Sequence, residues 1–337
     1  MSIATQTDPD QDIGPARSRT KTVQSILERF ALVILTFGVF VFFATWPQTS
    51  ATFLSIDNLQ NVAANQSALV LAALASLFPL VCGEFDLSVG AVATTTHIVV
   101  ASFAANGWSL PVAIVMGLLV GLVVGGINAV LVTRVGVNGI ITTLGMATLL
   151  TGLVTWGTGG VNIVEGIPRS LTDVGTMAII GIPALTIAAL VAGGLVAYFF
   201  ALTPPGRRLT MIGSNRRAAD LVGIGVQRHV ASAFVLSALF ASLAGIALLA
   251  RNGIASPQAG GTAFTLQALS AVFLGATAIW PGRFNVLGTF VAVFFIAISV
   301  AGLSLAGAAG WVSDVFTGAA LVIAVAASTL VGRRHRS

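Results

Sequence analysis

The 337-residue chain has only 8% charged residues against 56% hydrophobic ones, whereas soluble domains are about 25% charged. A chain this apolar cannot cover a water-exposed surface with polar groups, which excludes a soluble globular protein. Its net charge of +5 does not indicate nucleic-acid binding, because the arginines lie at the ends of apolar segments, where membrane orientation places them.

Ten apolar segments follow one another along the chain, each near the length of a helix that spans a bilayer. They lie at 30–46, 62–82, 87–105, 110–132, 139–156, 177–202, 229–250, 264–280, 285–305 and 311–331. Because the apolar runs are continuous rather than alternating, they do not indicate a β-barrel. The sequence therefore predicts an all-α integral membrane protein with about ten transmembrane helices. The division at "CGEFDLSVG" is the least well defined.

The two ends of the chain are polar and basic. A cleaved signal peptide is the alternative for the first end, but the leading segment is long and no convincing A-x-A site follows the first apolar run. We therefore expect residues 1–29 to form a tail before an uncleaved first helix. Residues 30–331 are expected to form one transmembrane domain, and residues 332–337 a second tail.

Positive charge predicts the orientation of these helices. With both termini in the cytoplasm, 14 of the 16 lysines and arginines lie inside, and only Arg169 and Arg251 lie outside. The inside set is Arg17, Arg19, Lys21, Arg29, Arg134, Arg207, Arg208, Arg216, Arg217, Arg228, Arg283, Arg333, Arg334 and Arg336. This orientation places residues 203–228 in the cytoplasm and residues 157–176 outside, where they form either a short surface helix or a solvated connector.

Several interior residues have a structural and a functional interpretation. Gly117, Gly121 and Gly125 recur every four residues, which favours close helix packing over a pore lining. His97 lies in the middle of a segment and is expected to be a hydrogen-bonded interior residue rather than a proton relay. The single cysteine, Cys82, excludes an intrachain disulfide and argues against a metal cluster.

Motifs of soluble catalytic chemistry are missing from the chain. There is no G-x-x-x-x-G-K-[ST] run for ATP, no H-E-x-x-H and no recognisable pair of nucleophile and base. The sequence therefore predicts a protein that is not itself an enzyme, with no cofactor and no metal site.

The longest polar interruption between two apolar segments reads "TPPGRRLTMIGSNRRAADLVGIGV". Pro204 and Pro205 are expected to end the sixth apolar segment, because proline lacks the backbone N–H and clashes with the preceding turn. Ser214 or Asn215 can then cap a new helix. Gly223 can end that helix in the left-handed conformation.

This predicted short helix is amphipathic. Ala218, Leu221 and Val222 fall on one face, and Arg216 and Arg217 point elsewhere. An apolar face on a cytoplasmic helix needs a partner, either lipid or another protein. The alternative is a tether whose arginines only extend to lipid headgroups.

The same stretch resembles the cytoplasmic loop of the ribose/xylose/arabinose-type ABC transporter permeases. Their pattern runs G-R-x-[LIV]-x-A-[IV]-G-x-N-x-x-A-A-x-x-[SA]-G-[IV]. The matching residues are Gly206, Arg207, Gly213, Asn215, Ala218, Ala219, Gly223 and Ile224. Met211 stands where the family has alanine.

A second stretch, "GEFDLSVGAV", resembles the G-G-I-D-L-S-V-G-S pattern of these permeases. Asp86, Ser88 and Gly90 match the pattern, and Glu84 replaces its second glycine. These residues form a candidate pathway or structural motif.

Two further stretches also resemble the same permeases. "ITTLGMATLLTGL" is similar to I-A-T-L-G-M-x-x-I-x-R-G, with Thr151 in place of the arginine. Its matching residues, Thr143 and Gly145, join the candidate pathway or structural residues. "LSAVFLGATAIWPGRFNVLGTFVAV" is similar to I-A-A-V-V-L-G-G-T-S-L-x-G-G-x-G-x-[VI]-x-G-T. Its departures from that pattern are Ala276, Trp280, Pro281 and Phe284.

The resemblance implies the permease subunit of a binding-protein-dependent importer in a bacterial inner membrane. Two permease copies, identical or different, would form the pathway for a monosaccharide or related polyol. A cytoplasmic ATP-binding subunit would hydrolyse ATP, and a periplasmic sugar-binding protein would deliver the substrate. The helix at about 215–222 would dock in a cleft of the ATPase, with Ala218 and Ala219 at the contact and Arg216 and Arg217 on its rim.

Other classes of membrane protein remain as alternatives. Glu84 and Asp86, next to Gly83 and Gly90, would suit the broken helix of an ion-coupled secondary transporter. Asp86 can instead cap the third apolar segment, and the role of Glu84 stays open. A structural or receptor membrane protein is less expected, because it has no need for so many glycines in packed helices.

Overall fold

The computed structural model describes residues 16–334, without the side chains of residues 16–28 and of part of the last helix. The helices are α1 (Ala16–Thr45), α2 (Ser50–Phe53), α3 (Ile56–Val81), α4 (Val89–Ala105), α5 (Leu110–Val130), α6 (Gly139–Thr158), α7 (Arg169–Thr176), α8 (Ala184–Leu202), α9 (Pro204–Ser214), α10 (Arg216–Leu221), α11 (Val226–Asn252), α12 (Gly261–Gly275), α13 (Val286–Leu305) and α14 (Trp311–Arg334). A π-helical turn, Leu131–Val135, extends α5, and a two-stranded hairpin pairs β1 (Ala178–Ile179) with β2 (Ile182–Pro183).

Each of the ten predicted segments overlaps a helix; in order these are α1, α3, α4, α5, α6, α8, α11, α12, α13 and α14. In the described part of the chain, 6 helices are long and apolar enough to cross a membrane. They are Ile56–Val81, Leu110–Val135, Gly139–Thr158, Ala184–Leu202, Val226–Asn252 and Val286–Leu305. Shorter apolar helices are Arg29–Thr45, Val89–Ala105 and Gly261–Gly275. The predicted all-α membrane fold is confirmed, while the number of ten crossings stays a prediction.

Two predicted boundaries were wrong, at the start of the sixth segment and at the end of the eighth. The apolar part of α1, Arg29–Thr45, agrees with the predicted first segment. The predicted first tail stays a prediction, and its residues 1–15 lie outside the described residues. Residues 177–183 form the hairpin and its turn rather than the start of a span, because Ile180 and Gly181 adopt positive φ angles of 53° and 79°. The segment 276–280 leaves the helix after Gly275. In the second tail, residues 335–337 lie outside the described residues.

The loop predicted to be external does contain a helix, α7. Its Gly175 packs against α11 so closely that a Cβ atom there would lie 1.9 Å from the carbonyl oxygen of Ala250. The surface-helix alternative is therefore correct for this loop, and α7 is anchored to the bundle rather than free in solvent.

The core of the bundle lies around α3 and α11, which pack against each other and against α4. Every residue of α3 from Ser67 to Leu80 is buried, as expected for a helix that is apolar on all sides. α11 contributes mainly small residues to the core, and a Cβ atom on its Gly245 would lie 2.2 Å from the carbonyl oxygen of Ala93. Small residues let these helices approach at backbone distance, which is the usual way helices associate in lipid.

The two interior predictions are confirmed. Gly117 faces α4 at Thr96 and Val100, whereas Gly121 and Gly125 face α11 at Ala238. His97 is fully buried, and its Nε2 atom lies 3.0 Å from the carbonyl oxygen of Ile254. The glycine ridge and His97 therefore pack helices together within the described structure.

We predict that Gly121→Ala weakens the contact between α5 and α11. The added Cβ would lie 2.3 Å from Ser242 Oγ and 2.6 Å from the Ala238 carbonyl oxygen, and backbone there has no room to yield. Overpacking of this kind costs about 1–3 kcal/mol, so the midpoint of thermal unfolding in detergent should fall. Gly126→Ala is the matched control, since no atom lies within 4 Å of its Cβ position. Equal midpoints for the two variants would contradict the packing role.

Candidate functional site

The basic segment, residues 203–228, folds into two helices rather than one. α8 ends at Leu202 as the prolines predict, but Pro204 and Pro205 then occupy the first positions of a further helix, α9. Proline is well tolerated there because those N–H groups have no partner in a helix. The Thr203 hydroxyl accepts a hydrogen bond from the Gly206 N–H at 3.2 Å and so caps α9. The sequence analysis missed this helix.

α9 is fixed to the membrane bundle at both ends through glycine. A Cβ atom on Gly206 would lie 2.0 Å from the Phe199 carbonyl oxygen, and one on Gly213 would lie 1.9 Å from the Val81 carbonyl oxygen. Between them, Leu209 is fully buried. α9 is thus a rigid extension of the bundle at the ends of α8 and α3.

α10 has the ends that the sequence predicted. Asn215 lies in extended conformation at its first end, and its side-chain oxygen accepts a hydrogen bond from the Ala218 N–H at 3.0 Å. Gly223 has a φ of +80°, and the Ile224 N–H donates to the Ala219 carbonyl oxygen at 3.0 Å. Such a left-handed glycine followed by a backward hydrogen bond is a common helix end.

α10 turns its apolar residues in two directions. Ala219 is only 4% exposed and packs inside this chain, so its side chain does not present the docking contact that we expected. Ala218 is exposed, and Leu221 and Val222 are 84% and 71% exposed. With Met211 of α9, which is also exposed, these residues form what we call the apolar patch.

Four arginines lie on the same two helices as the apolar patch, and their partners differ. Arg207 is exposed, and its Nη2 donates a 3.0 Å hydrogen bond to the Leu202 carbonyl oxygen at the end of α8. Arg208 and Arg217 are exposed. We expect Arg216 on a free rim, but its Nη1 lies 2.6 Å from Glu84 Oε1. Arg216 is therefore paired within this chain.

Glu84 lies in the linker between α3 and α4, residues 82–88, and its side chain is only 15% exposed. Its second carboxylate oxygen, Oε2, lies 3.0 Å from the position that a Cβ atom of Gly139 would take. Gly139 is the first residue of α6, and carboxylates are favourable at helix N-termini. Glu84 therefore connects α10, through Arg216, with the beginning of α6.

Asp86, in the same linker, is the acceptor at the centre of a buried polar cluster. Its Oδ1 accepts hydrogen bonds from the Ser88 N–H and hydroxyl, and its Oδ2 accepts one from the Ser237 hydroxyl of α11 at 2.8 Å. The Asn128 amide of α5 donates to Ser88 Oγ at 3.0 Å. Asp86 is not the cap of α4, since Ser88 occupies that position; it fixes the turn that precedes the helix.

The remaining linker contacts reach α6 and α12. The Leu87 N–H donates to Thr143 Oγ1 of α6 at 2.9 Å, and the Gly90 N–H donates to Thr265 Oγ1 of α12 at 2.8 Å. A Cβ atom on Gly90 would lie 2.0 Å from the Gly261 carbonyl oxygen. Of the predicted pathway or structural residues, the structure therefore packs Asp86, Ser88, Gly90 and Thr143 into the bundle. Only Gly145 is openly exposed.

A cavity of about 590 Å³ lies between α4, α6 and the chain that leads into α12. Its polar side chains are Thr94, Thr148, Thr151, Gln258 and Thr262, and no charged residue is among those that line it in the described structure. This polar cavity includes Thr151, which stands where the related pattern has arginine. Sequence reasoning missed the other four residues, although threonine at 148 and 151, one turn apart on α6, was a visible signal.

Metal chemistry has no support in the described part of the chain, where no cluster of three or more His, Cys, Asp or Glu residues could hold an ion. The basic segment is rigid and carries the exposed apolar patch. An ion pair joins it to the linker between α3 and α4, and that linker contacts several helices.

Comparison with known proteins adds the following findings. The sequence model of a family described as "Branched-chain amino acid transport system / permease component" matches residues 58–325. The chain is 29% identical to the autoinducer 2 import system permease protein LsrC of Enterobacter sp. (strain 638), over 88% of this chain and 84% of that protein. It is 29% identical to the ribose import permease protein RbsC of Haemophilus influenzae, over 84% of this chain and 88% of that protein. No solved structure gives a significant match.

We predict that Asp86→Ala destabilises the fold strongly, because it leaves the Ser88 and Ser237 donors buried without an acceptor. Each unsatisfied buried group costs about 1–3 kcal/mol. Ser237→Ala leaves only one buried atom, Asp86 Oδ2, without its partner, so it should cost about 1–3 kcal/mol and less than Asp86→Ala. Thermal unfolding in detergent measures both, with Asp220→Ala as the control because Asp220 is exposed. If Asp86→Ala unfolds at the same temperature as Asp220→Ala, the cluster does not hold the linker.

Proposed function

The chain belongs to the family described as branched-chain amino acid transport system permease components, and on this premise we propose that it is the membrane subunit of an ATP-driven importer. The observation that supports this function is the apolar patch, which is exposed on the basic segment, and that segment is rigidly fixed to the bundle. A surface of this kind suits a second protein whose conformational change is transmitted to the bundle.

The substrate that fits best is a neutral, hydroxyl-rich small molecule, such as a monosaccharide or polyol. The polar cavity offers threonine hydroxyls and one glutamine amide and has no charged lining residue. A zwitterionic amino acid would need charged partners in such a site. The relatives are named for autoinducer 2 and for ribose, which supports the same choice over the family's general description.

The partner at the apolar patch would be a cytoplasmic ATP-binding subunit. The chain has no nucleotide-binding motif of its own, and the charge asymmetry supports a cytoplasmic position for residues 203–228. The exposed Arg208 and Arg217 would face an acidic rim on that subunit. A periplasmic sugar-binding protein would deliver the substrate on the opposite side. We propose a bacterial inner membrane location with both termini cytoplasmic, and a pathway completed by a second permease copy.

The ion pair between Arg216 and Glu84 would carry the motion of α10 into the bundle. Glu84 contacts the first residue of α6, and the linker that follows it bonds Thr143 of α6 and Thr265 of α12. The same two helices also line the polar cavity, at Thr148 after Thr143 on α6 and at Thr262 before Thr265 on α12. A displacement of α10 would therefore pass to the walls of the cavity through the ion pair, the linker and these two helices.

The ion-coupled alternative has no observation in its favour. Glu84 is paired with Arg216, and both carboxylate oxygens of Asp86 already accept hydrogen bonds within the bundle. A coupling-ion site needs carboxylate oxygens that are available to the ion. Family membership supports the importer as well.

We predict that Leu221→Glu abolishes transport and the association with the ATP-binding subunit. A charge forced into a packed interface without a partner costs several kcal/mol. Since Leu221 is 84% exposed in the free chain, the variant should fold and insert normally. Arg217→Ala, which removes an exposed rim charge worth about 1 kcal/mol or less, should cause a mild, salt-sensitive loss. Co-purification with the ATPase and uptake into proteoliposomes measure both effects.

Normal transport by Leu221→Glu would show that the basic segment is only a tether. The importer itself is tested separately by inactivating the ATPase. Uptake that continues without ATP hydrolysis, and collapses with a protonophore, would instead establish ion-coupled transport.

We predict that the Arg216–Glu84 pair links ATP hydrolysis to transport without being needed for docking. Arg216→Gln and Glu84→Gln should each lower the number of substrate molecules moved per ATP hydrolysed. The double variant should be no worse than either single variant, because both remove one shared interaction. For a pair of this exposure the effect should be up to about fivefold, equivalent to roughly 1 kcal/mol.

Uptake and ATP hydrolysis measured together in proteoliposomes give this ratio for each variant. Arg217→Gln is the matched control, since Arg217 is the exposed neighbour of Arg216. Losses that add up in the double variant would mean that the two residues act separately.

A further inference from the structure

We propose that this chain binds a phospholipid with an anionic headgroup in a second cavity, at the end of the bundle that carries α9. This proposal requires that the chain lies in a membrane with the α9 end at its cytoplasmic face, and it is independent of the import function. The cavity has a volume of about 370 Å³ and lies between α3, α8 and α13. It is called the lipid cavity below.

The walls of the lipid cavity are apolar and belong to the membrane-spanning helices. Leu77 of α3, Ala197 of α8 and Leu287 of α13 line it. One turn deeper, α8 and α13 touch where Gly193 packs against the Phe290 ring. The two helices thus meet inside the membrane and separate toward the surface, which leaves a groove at the depth of the headgroup and first acyl carbons.

The polar end of the lipid cavity is formed by the loop between α12 and α13. Arg283 and Trp280 line it there. Arg283 and Trp280 are exposed, and among the described residues neither the Arg283 guanidinium nor the Trp280 indole N–H has a hydrogen-bond partner. Both groups are donors only. A ligand that replaces water at both groups must therefore accept hydrogen bonds and, opposite a guanidinium, carry negative charge.

The other two polar side chains that line the cavity are already engaged inside the protein. The Asn285 amide donates to the carbonyl oxygens of Gly275, Ala278 and Arg283, at 3.2, 3.2 and 3.0 Å. The Thr210 hydroxyl donates back to its own helix at the Gly206 carbonyl. The lipid cavity thus presents two hydrogen-bond donors at one end and apolar walls elsewhere. A phosphodiester with acyl chains is complementary to both parts.

The loop that presents these donors is held in place before any ligand binds. Ile279 adopts a φ of 63°, a conformation that a β-branched residue avoids unless its surroundings impose it. Its N–H donates to the Arg29 carbonyl oxygen at 2.8 Å, and the Arg29 side chain donates to the Ile279 carbonyl oxygen. A loop fixed on both sides in this way lowers the entropy cost of binding at Trp280 and Arg283.

The position of the lipid cavity agrees with the proposed occupant. Leu77 and Ala197 lie about one turn inside the ends of α3 and α8, whereas Arg283 lies between two helices at the surface. Tryptophan is favoured at the headgroup level, and basic pockets between helices on the cytoplasmic side bind anionic headgroups. The acyl chains would lie on the apolar lining deeper along the helices, at Leu77, Ala197 and Leu287.

We assign the lipid cavity to an occupant other than the transported substrate and the ATPase. The polar cavity, between α4 and α6, is lined by hydroxyl groups and lies in another part of the bundle. None of the four residues of the apolar patch lines the lipid cavity, and the two surfaces adjoin at Phe200 and Thr210.

The test compares lipid-induced stabilisation of the full-length permease in detergent. Phosphatidylglycerol and phosphatidylcholine with identical acyl chains are added to the wild type, Arg283→Gln, Arg283→Lys and Arg134→Gln. Arg134 is the matched control, because it is an exposed arginine that does not line the cavity. Each shift in thermal-unfolding midpoint is measured from the same variant without lipid, and retained lipid is identified by native mass spectrometry.

We expect the wild type to retain phosphatidylglycerol in preference to phosphatidylcholine. Arg283→Gln should need about fivefold more phosphatidylglycerol for the same shift, the factor for one basic residue near an anionic surface. Arg283→Lys and Arg134→Gln should behave like the wild type. Ala201→Trp, which fills the cavity at an exposed wall position, should reduce the response to both lipids.

Three results would overturn the proposal. The first is an equal response to the two lipids, and the second is an unchanged response in Arg283→Gln. The third is equal protection by soluble glycerol phosphate, which would make the cavity a site for free phosphate. An Arg283→Gln variant that keeps its lipid but loses the ATPase would assign this surface to the protein partner instead.

Discussion

The structure depends on how the nonhelical linker between α3 and α4 completes the hydrogen bonds of its backbone inside the helix bundle. Irregular backbone at membrane depth is tolerated only where other parts of the protein complete its hydrogen bonds. Thr143 and Thr265 do so for the N–H groups of Leu87 and Gly90, and Asp86 fixes the turn between them. Because these partners come from α6, α11 and α12, the linker sets the positions of helices that are distant in sequence.

Local patterns predicted much of this architecture. The apolar runs predicted the helices, since helices in lipid need long apolar segments. Asn215 and Gly223 predicted the ends of α10, because helix capping and left-handed glycine depend on a few neighbouring residues. Gly121 predicted a packed ridge, since its neighbours at the same helical spacing are also glycine. These features were predictable because each depends on chemistry within one or two helical turns.

Contacts between distant residues were not predictable in the same way. The partner of Glu84 is Arg216, 132 residues later in the chain, and nothing local links the two. α10 has only 6 residues, so its sequence does not determine which side it turns inward; docking against α9 and α11 buried Ala219 rather than Ala218. α9 was missed because Pro204 and Pro205 mark both the end of one helix and the beginning of another. The polar cavity was not predicted because part of its lining comes from the loop before α12, and no periodic pattern in the sequence indicates where that loop lies.

Glu84 also shows how a departure from a family pattern is accommodated. Glutamate fits where the pattern has glycine because residue 139, which faces it, is itself a glycine. The beginning of α6 adds a favourable field for the carboxylate, and Arg216 neutralises it from outside. The substitution therefore converts a passive contact into a charged connection between α10 and α6.

The Arg216–Glu84 ion pair can shift a conformational equilibrium of the bundle, but it is too weak to supply the energy for a conformational change. An interaction shifts a conformational equilibrium only by the difference in its energy between the two states, and a half-exposed ion pair offers about 1 kcal/mol. The larger force has to pass through packing that does not compress. Gly213 against Val81 and Gly206 against Phe199 are contacts at backbone distance, and interiors packed to this density change by discrete shifts rather than by bending. The glycines would therefore transmit the movement of the basic segment, while Arg216 and Glu84 determine which of the adjoining helices follows it.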